Sequence, residues 1–113
     1  MNEFERKRVE RAVAAFVAKR RPPAEIRDQV DLSFQFDGRY VEIFEIRPQW
    51  DEPEEKVQVS IARARYVKSW DQWRVYWKRA DLKWHKYDPA PEVRTIQDFL
   101  TLVDHDEYGC FFG

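Results

Sequence analysis

The feature that most constrains the fold is a run of alternating side chains. Apolar and polar residues alternate from Val30 to Phe36, which is the pattern of a strand with one buried face. The dipeptide Asp37-Gly38 follows directly and predicts a two-residue hairpin of type I′, in which both central residues have positive φ. The return strand, from Arg39 to about Arg47, is apolar on both sides and is expected in the centre of a sheet. An antiparallel sheet is therefore the expected framework.

Helices are predicted at the two ends of the chain. Apolar residues recur at helical spacing over residues 3–20, Asn2 is a suitable N-cap, and Pro22-Pro23 ends the helix because neither proline donates a backbone hydrogen bond. Thr95 can cap a second helix over about residues 96–105. The closing segment, residues 106–113, is apolar enough that we expect it to dock on the domain.

A third strand is predicted over about residues 57–67. Its apolar residues occupy odd positions up to Ile61 and even positions after it, and one extra residue there, a β-bulge, would exchange the two faces. A tryptophan-rich hairpin follows, with strands near 72–79 and 82–87. The predicted fold class is α+β, in a single domain over residues 1–113: an antiparallel β-meander of about five strands with one N-terminal and one C-terminal α-helix.

Composition narrows the class of protein. The chain has 113 residues, the size of one domain, and 16% of them are aromatic, which supplies a core without metal or disulfide. The lone Cys110 cannot form an internal bridge, and neither a signal peptide nor a membrane span is expected, so we expect a cytoplasmic protein. Only three glycines are present, which excludes phosphate-loop and dinucleotide-binding fingerprints. No cofactor is expected.

The tryptophan-rich hairpin is the first candidate site. Four of the five tryptophans lie within fifteen residues, and residues 57–87 carry eight basic and two acidic side chains, a net charge of +6. Aromatic rings beside cations suit single-stranded nucleic acid. Strand alternation is expected to turn the tryptophans towards the core, and an outward basic face would present Arg74, Tyr76, Lys78, Lys83, His85 and Tyr87. Alternatively, the residues form cross-strand aromatic and cation–π pairs that only stabilise an ordinary amphipathic hairpin.

The second candidate site is acidic. Asp31, Glu42 and Glu45 followed by Arg47 resemble the metal-binding layout of restriction nucleases, although an arginine is too basic for proton transfer. A small metal-dependent nuclease or hydrolase would need Glu45, Arg47, Lys83 and His85 in one pocket. More simply, Glu45 and Arg47 form an ion pair on one strand face. A third cluster, residues 104–106 with Cys110, matches no zinc-ligand spacing, so no metal is predicted.

Several segments together resemble a known family. They are 41–50, 61–67, 73–77, 82–87 and the closing Gly109-Cys110-Phe111-Phe112-Gly113. They resemble the small bacterial proteins grouped as domain of unknown function 3024. The resemblance implies a stand-alone bacterial cytoplasmic protein and no assigned activity. It also implies the following recurring positions: Glu45, Arg47, Pro48, Trp77, Lys83, Trp84, His85 and Tyr87.

Three functional hypotheses remain open from the sequence. The first is a non-catalytic binding module with nucleic acid as a candidate ligand. Its candidate binding residues are Glu45, Arg47, Arg74, Lys78, Lys83, His85 and Tyr87. The second is the nuclease or hydrolase described above. The third is a structural or protein-interaction role, for example as a homodimer formed through an exposed sheet edge.

Overall fold

The computed structural model describes residues 1–113 as two helices and one sheet. The elements are α1 (Glu3–Arg20), β1 (Asp31–Phe36), β2 (Tyr40–Pro48), β3 (Lys56–Val67), β4 (Gln72–Lys78), β5 (Trp84–Lys86), β6 (Glu92–Val93) and α2 (Ile96–His105), with one 3-10 turn at Ala24–Ile26. The α+β prediction is confirmed. The sheet has six strands when the two-residue β6 is included.

The strands follow one another across the sheet in the order β1-β2-β3-β4-β5, and β6 also pairs with β4. All neighbouring pairs are antiparallel. The type I′ prediction for the first hairpin was wrong, because Gly38 has positive φ (90°) and Asp37 does not. The Asp37 carboxylate instead accepts hydrogen bonds from the backbone N–H groups of Arg39 and Tyr40, each at 2.8 Å. This side-chain cap favours a turn that needs only one residue with positive φ.

The predicted bulge in β3 is confirmed. Ile43 lies opposite Ala62 but Phe44 lies opposite Ser60, so Ile61 is the extra residue. β4 pairs with β3 only over residues 62–67. The first half of β3, residues 56–60, therefore has a neighbouring strand, β2, on one side only.

The hydrophobic core lies between the two helices and one face of the sheet, which we call the helix face. Seventeen buried apolar residues form one cluster. α1 contributes Val9, Val13 and Val17, and α2 contributes Ile96, Phe99, Leu100 and Val103. Trp73 is only 3% exposed, and no polar or charged residue is buried. No helix is both long and apolar enough to cross a bilayer.

The predicted ends of the helices are also confirmed. The side chain of Asn2 accepts a hydrogen bond from Glu5 N–H, and that of Thr95 accepts one from Asp98 N–H. After α2 the chain turns back on itself. Phe111 is buried in the core cluster, with its ring centroid 4.9 Å from that of Tyr87. The closing segment is therefore docked, as expected from its apolar composition.

Candidate functional site

The face of the sheet opposite the helices, which we call the open face, carries a row of basic side chains. Residues directly opposite each other in an antiparallel sheet point to the same face. Arg63 lies opposite Glu42 and Tyr76, and Arg65 lies opposite Arg74. This register identifies five open-face cations: Arg63, Arg65, Arg74, Lys78 and Lys86.

The structure corrects the predicted faces of the last full strand. Trp84 lies opposite Lys78 on the open face, whereas His85 lies opposite Trp77 on the helix face. Tyr87 is 2% exposed and belongs to the core. The outward positions predicted for His85 and Tyr87 were therefore wrong, as was the expected core position of Trp84.

The physical reason is the turn that joins β4 to β5. It spans five residues, Arg79 N–H donates to the Lys83 carbonyl at 3.2 Å, and Leu82 adopts positive φ (63°). The turn fixes the register of a hairpin, and a shift of one residue exchanges the two faces of a strand. Trp84 therefore joins three other solvent-accessible aromatic side chains on or beside the open face: Tyr40, Trp70 and Tyr76.

Three of the open-face cations lie over these rings. The guanidinium carbon of Arg63 is 3.9 Å from the ring centroid of Tyr40 and 5.6 Å from that of Trp84. Lys78 Nζ is 5.4 Å from the Trp84 ring. Arg74 lies 4.8 Å above the Trp70 ring. Cation–π contacts of this kind hold rings and charges together at a half-exposed surface.

None of the open-face cations forms a salt bridge. The salt bridges of the protein join Arg20 to Asp104, Arg21 to Asp31, Arg47 to Glu45 and His85 to Asp81. Glu42, directly opposite Arg63, instead accepts a hydrogen bond from Gln35 at 3.2 Å. The Nε atoms of Arg63 and Arg65 are shielded from solvent and have no acceptor. A shielded donor without an acceptor costs about 1–3 kcal/mol, and for Arg63 the cation–π contact with Tyr40 offsets part of that cost.

The whole chain, residues 1–113, matches the family model DUF3024, described as a domain of unknown function. The chain belongs to the DUF3024 family. No curated protein and no solved structure matches it. The match confirms the family resemblance seen in the sequence, and the description DUF3024 assigns no activity.

The sheet does not bring together the residues of the nuclease hypothesis. Glu45 and Arg47 contact each other at 3.3 Å on β2, while His85 contacts Asp81 at 2.8 Å beyond β4. Three strand spacings separate β2 from β5, about 14 Å between backbones at ~4.8 Å each. Lys83 lies in the β4–β5 turn, at the far side of the sheet from Glu45. No group of three or more His, Cys, Asp or Glu side chains could hold a metal ion.

Of the candidate binding residues predicted from the sequence, the open face contains Arg74 and Lys78. Sequence reasoning missed Tyr40, Arg63 and Arg65. Their signal was present, because the two arginines alternate on one strand inside the segment of net charge +6. Their face depends on the bulge at Ile61 and on the register of β3 with β2 and β4.

Proposed function

We propose that this DUF3024 protein is a non-catalytic module that binds single-stranded nucleic acid across its open face. The observation that carries the proposal is the pair Arg63 and Arg65, two guanidiniums on one strand without carboxylate partners. Arginine presents a planar set of donors that matches phosphate oxygens. Because no protein carboxylate forms a salt bridge with either guanidinium, a phosphate does not have to displace one. The Nε donors are shielded, so the contacts would be made by the Nη donors of these half-exposed side chains.

The rings favour single-stranded nucleic acid over a simple anion. An inorganic anion would need the cations alone, whereas bases need flat apolar surfaces beside them. Tyr40 and Trp84 flank Arg63, and Trp70 lies beside Arg74. A base stacked on an exposed ring is worth about 1–3 kcal/mol by alanine substitution. The rings and the cations lie side by side on the open face, so that one extended nucleic-acid strand can contact both.

Carboxylates limit the part of the open face that a nucleic-acid strand can cross. A cleft of about 340 Å³ at the β1–β2 side is lined partly by Asp37, Glu42 and Arg63. Glu92 lies opposite Arg74 at the other end of β4. The path that avoids both carboxylate groups runs over the middle of β3 and β4 towards Trp84 and Lys86.

Salt-dependent titration tests the proposal. A fluorescent oligothymidine should bind with an affinity that falls as salt rises, and each phosphate contact contributes about 0.7 to the slope of log K against log salt. The double variant Lys78→Gln/Lys86→Gln should lower that slope by about 1.4. The matched control is Lys7→Gln/Lys19→Gln, which removes the same charge from exposed positions of α1 and should leave the slope unchanged.

A ring variant separates stacking from charge. Trp84→Leu should weaken binding about tenfold, within the range for one stacked base, while the salt slope stays constant. Flat titrations at low salt would refute the proposal. So would equal losses in the open-face and α1 double variants, because binding would then follow total charge and not this surface.

A further inference from the structure

The first half of β3 is an unprotected sheet edge. Residues 56–60 pair with β2, whereas β4 reaches β3 only as far as the pair Trp77 and Ala62. Val57 and Val59 on this edge are 38% and 42% exposed. An exposed strand with unpaired backbone groups and apolar side chains is a template for another strand.

The usual protection of such an edge is weak here. A lysine on an edge strand discourages pairing, but the Lys56 amine is turned away and donates to the Asp28 carbonyl at 2.6 Å. No proline lies between residues 56 and 60. The backbone from Lys56 to Ser60 is therefore open to a second strand.

We propose that this edge pairs with the same segment of a second copy of the chain, antiparallel, about a two-fold axis at Gln58. In that register Val57 lies opposite Val59 of the second copy, and Lys56 lies opposite its Ser60. Both valine pairs fall on one face of the joined sheet, and no like charges face each other. Apolar cross-strand pairs stabilise a sheet, whereas like charges would destabilise it.

Charge complementarity supports a second copy as the occupant. The loop between β2 and β3 contains Asp51, Glu52, Glu54 and Glu55 and no basic residue. A second copy of β3 would continue the line of β4, and its acidic loop would meet the basic end of β4 and the turn after it, where Lys78, Arg79 and Lys83 lie. The two-fold axis repeats this contact, as expected for an isologous interface.

The dimer would also change the proposed binding surface. Antiparallel pairing within one sheet places the two-fold axis perpendicular to the sheet, so both open faces point to the same side. Two sets of open-face cations would then lie on one side of the joined sheet, each bordered by the acidic loop of the other copy. The dimer itself rests only on the β3 edge, so it can be tested without nucleic acid.

Light scattering coupled to size-exclusion chromatography tests the assembly. At about 100 µM the wild type should elute with twice the monomer mass, and the mass should fall on dilution or at high salt because the interface is small and charged. Val59→Lys should be monomeric with an unchanged circular dichroism spectrum. Phe4→Lys, at a 71% exposed position on α1, is the matched control and should remain dimeric. A monomeric wild type at this concentration would overturn the proposal.

A cross-link tests the register. Residues 58 of the two copies would lie directly opposite, with Cα atoms about 4.5–5.5 Å apart, a separation that a disulfide can bridge. Gln58→Cys in a Cys110→Ser background should form a covalent dimer on mild oxidation, and Glu54→Cys in the same background should not. Equal cross-linking of both variants, or cross-linking of Glu54→Cys alone, would contradict pairing about Gln58. If the protein formed this dimer but did not bind nucleic acid, only the proposed function would be overturned.

Discussion

Asp106 is the residue at which two opposing effects on stability can be separated. It ends α2 in a left-handed conformation, with φ of 44°. Its two carboxylate oxygens accept hydrogen bonds from Phe111 N–H at 2.9 Å and Phe112 N–H at 2.8 Å. The left-handed conformation favours glycine, whereas the hydrogen bonds require a carboxylate. Asp106→Gly removes both the strain and the hydrogen bonds.

The hydrogen bonds should outweigh the strain. Each hydrogen bond to a charged group is worth about 1.5–3 kcal/mol, so the pair at the lower end contributes about 3 kcal/mol for this half-buried side chain. Relief of the left-handed conformation returns about 1 kcal/mol. We therefore expect Asp106→Gly to lower the free energy of unfolding by about 2 kcal/mol. Asp106→Asn, which keeps one neutral acceptor and tolerates the conformation, should lower it by about 1 kcal/mol.

Urea unfolding followed by tryptophan fluorescence measures both losses. The m-value should not change, because the folded core is the same. If Asp106→Gly were as stable as the wild type or more stable, the carboxylate would not hold the closing segment. A larger loss in Asp106→Asn than in Asp106→Gly would contradict the same reasoning.

Two further predictions concern titration. The Arg21 guanidinium, hydrogen-bonded to the Asp31 carboxylate at 2.7 Å, lowers the pKa of Asp31 to about 2. This pair stabilises the fold above the ordinary carboxyl pKa and loses its effect as pH falls towards 2. Arg21→Gln should therefore raise the pKa of Asp31, as measured by carbon NMR, and should match the stability of the wild type only at low pH. The hydrogen bond from the Tyr66 hydroxyl to the Asp71 carboxylate, at 2.6 Å, raises the pKa of Tyr66 to about 12. Asp71→Gly keeps the positive φ of that residue and should return the Tyr66 pKa towards 10, whereas an unchanged value would show that burial alone sets it.

Much of the fold could be predicted because its signals are local. The caps at Asn2 and Thr95 and the bulge at Ile61 each depend on residues a few positions apart, and all three are present. β6 could not be predicted, because two residues are too few to show a period. The conformation of the first turn was predicted wrongly, because Asp37 caps the turn through its side chain.

The candidate site was less accessible to sequence reasoning. The register between β4 and β5 depends on a five-residue turn with Leu82 at positive φ. A leucine does not predict that conformation, because residues other than glycine rarely adopt it. The faces of Trp84 and His85 were exchanged as a result. The position of Arg63 beside Tyr40 and Trp84 joins three strands, so no local pattern could reveal it.

The most direct test of the proposed binding surface uses the indole N–H signals of the tryptophans. Single-stranded DNA titrated into nitrogen-labelled protein should shift the signal of Trp84, assigned by its loss in Trp84→Leu. The signal of Trp73, which is only 3% exposed on the helix face, should stay in place. A shift of Trp73 as large as that of Trp84, or no shift of Trp84 at saturation, would contradict binding on the open face.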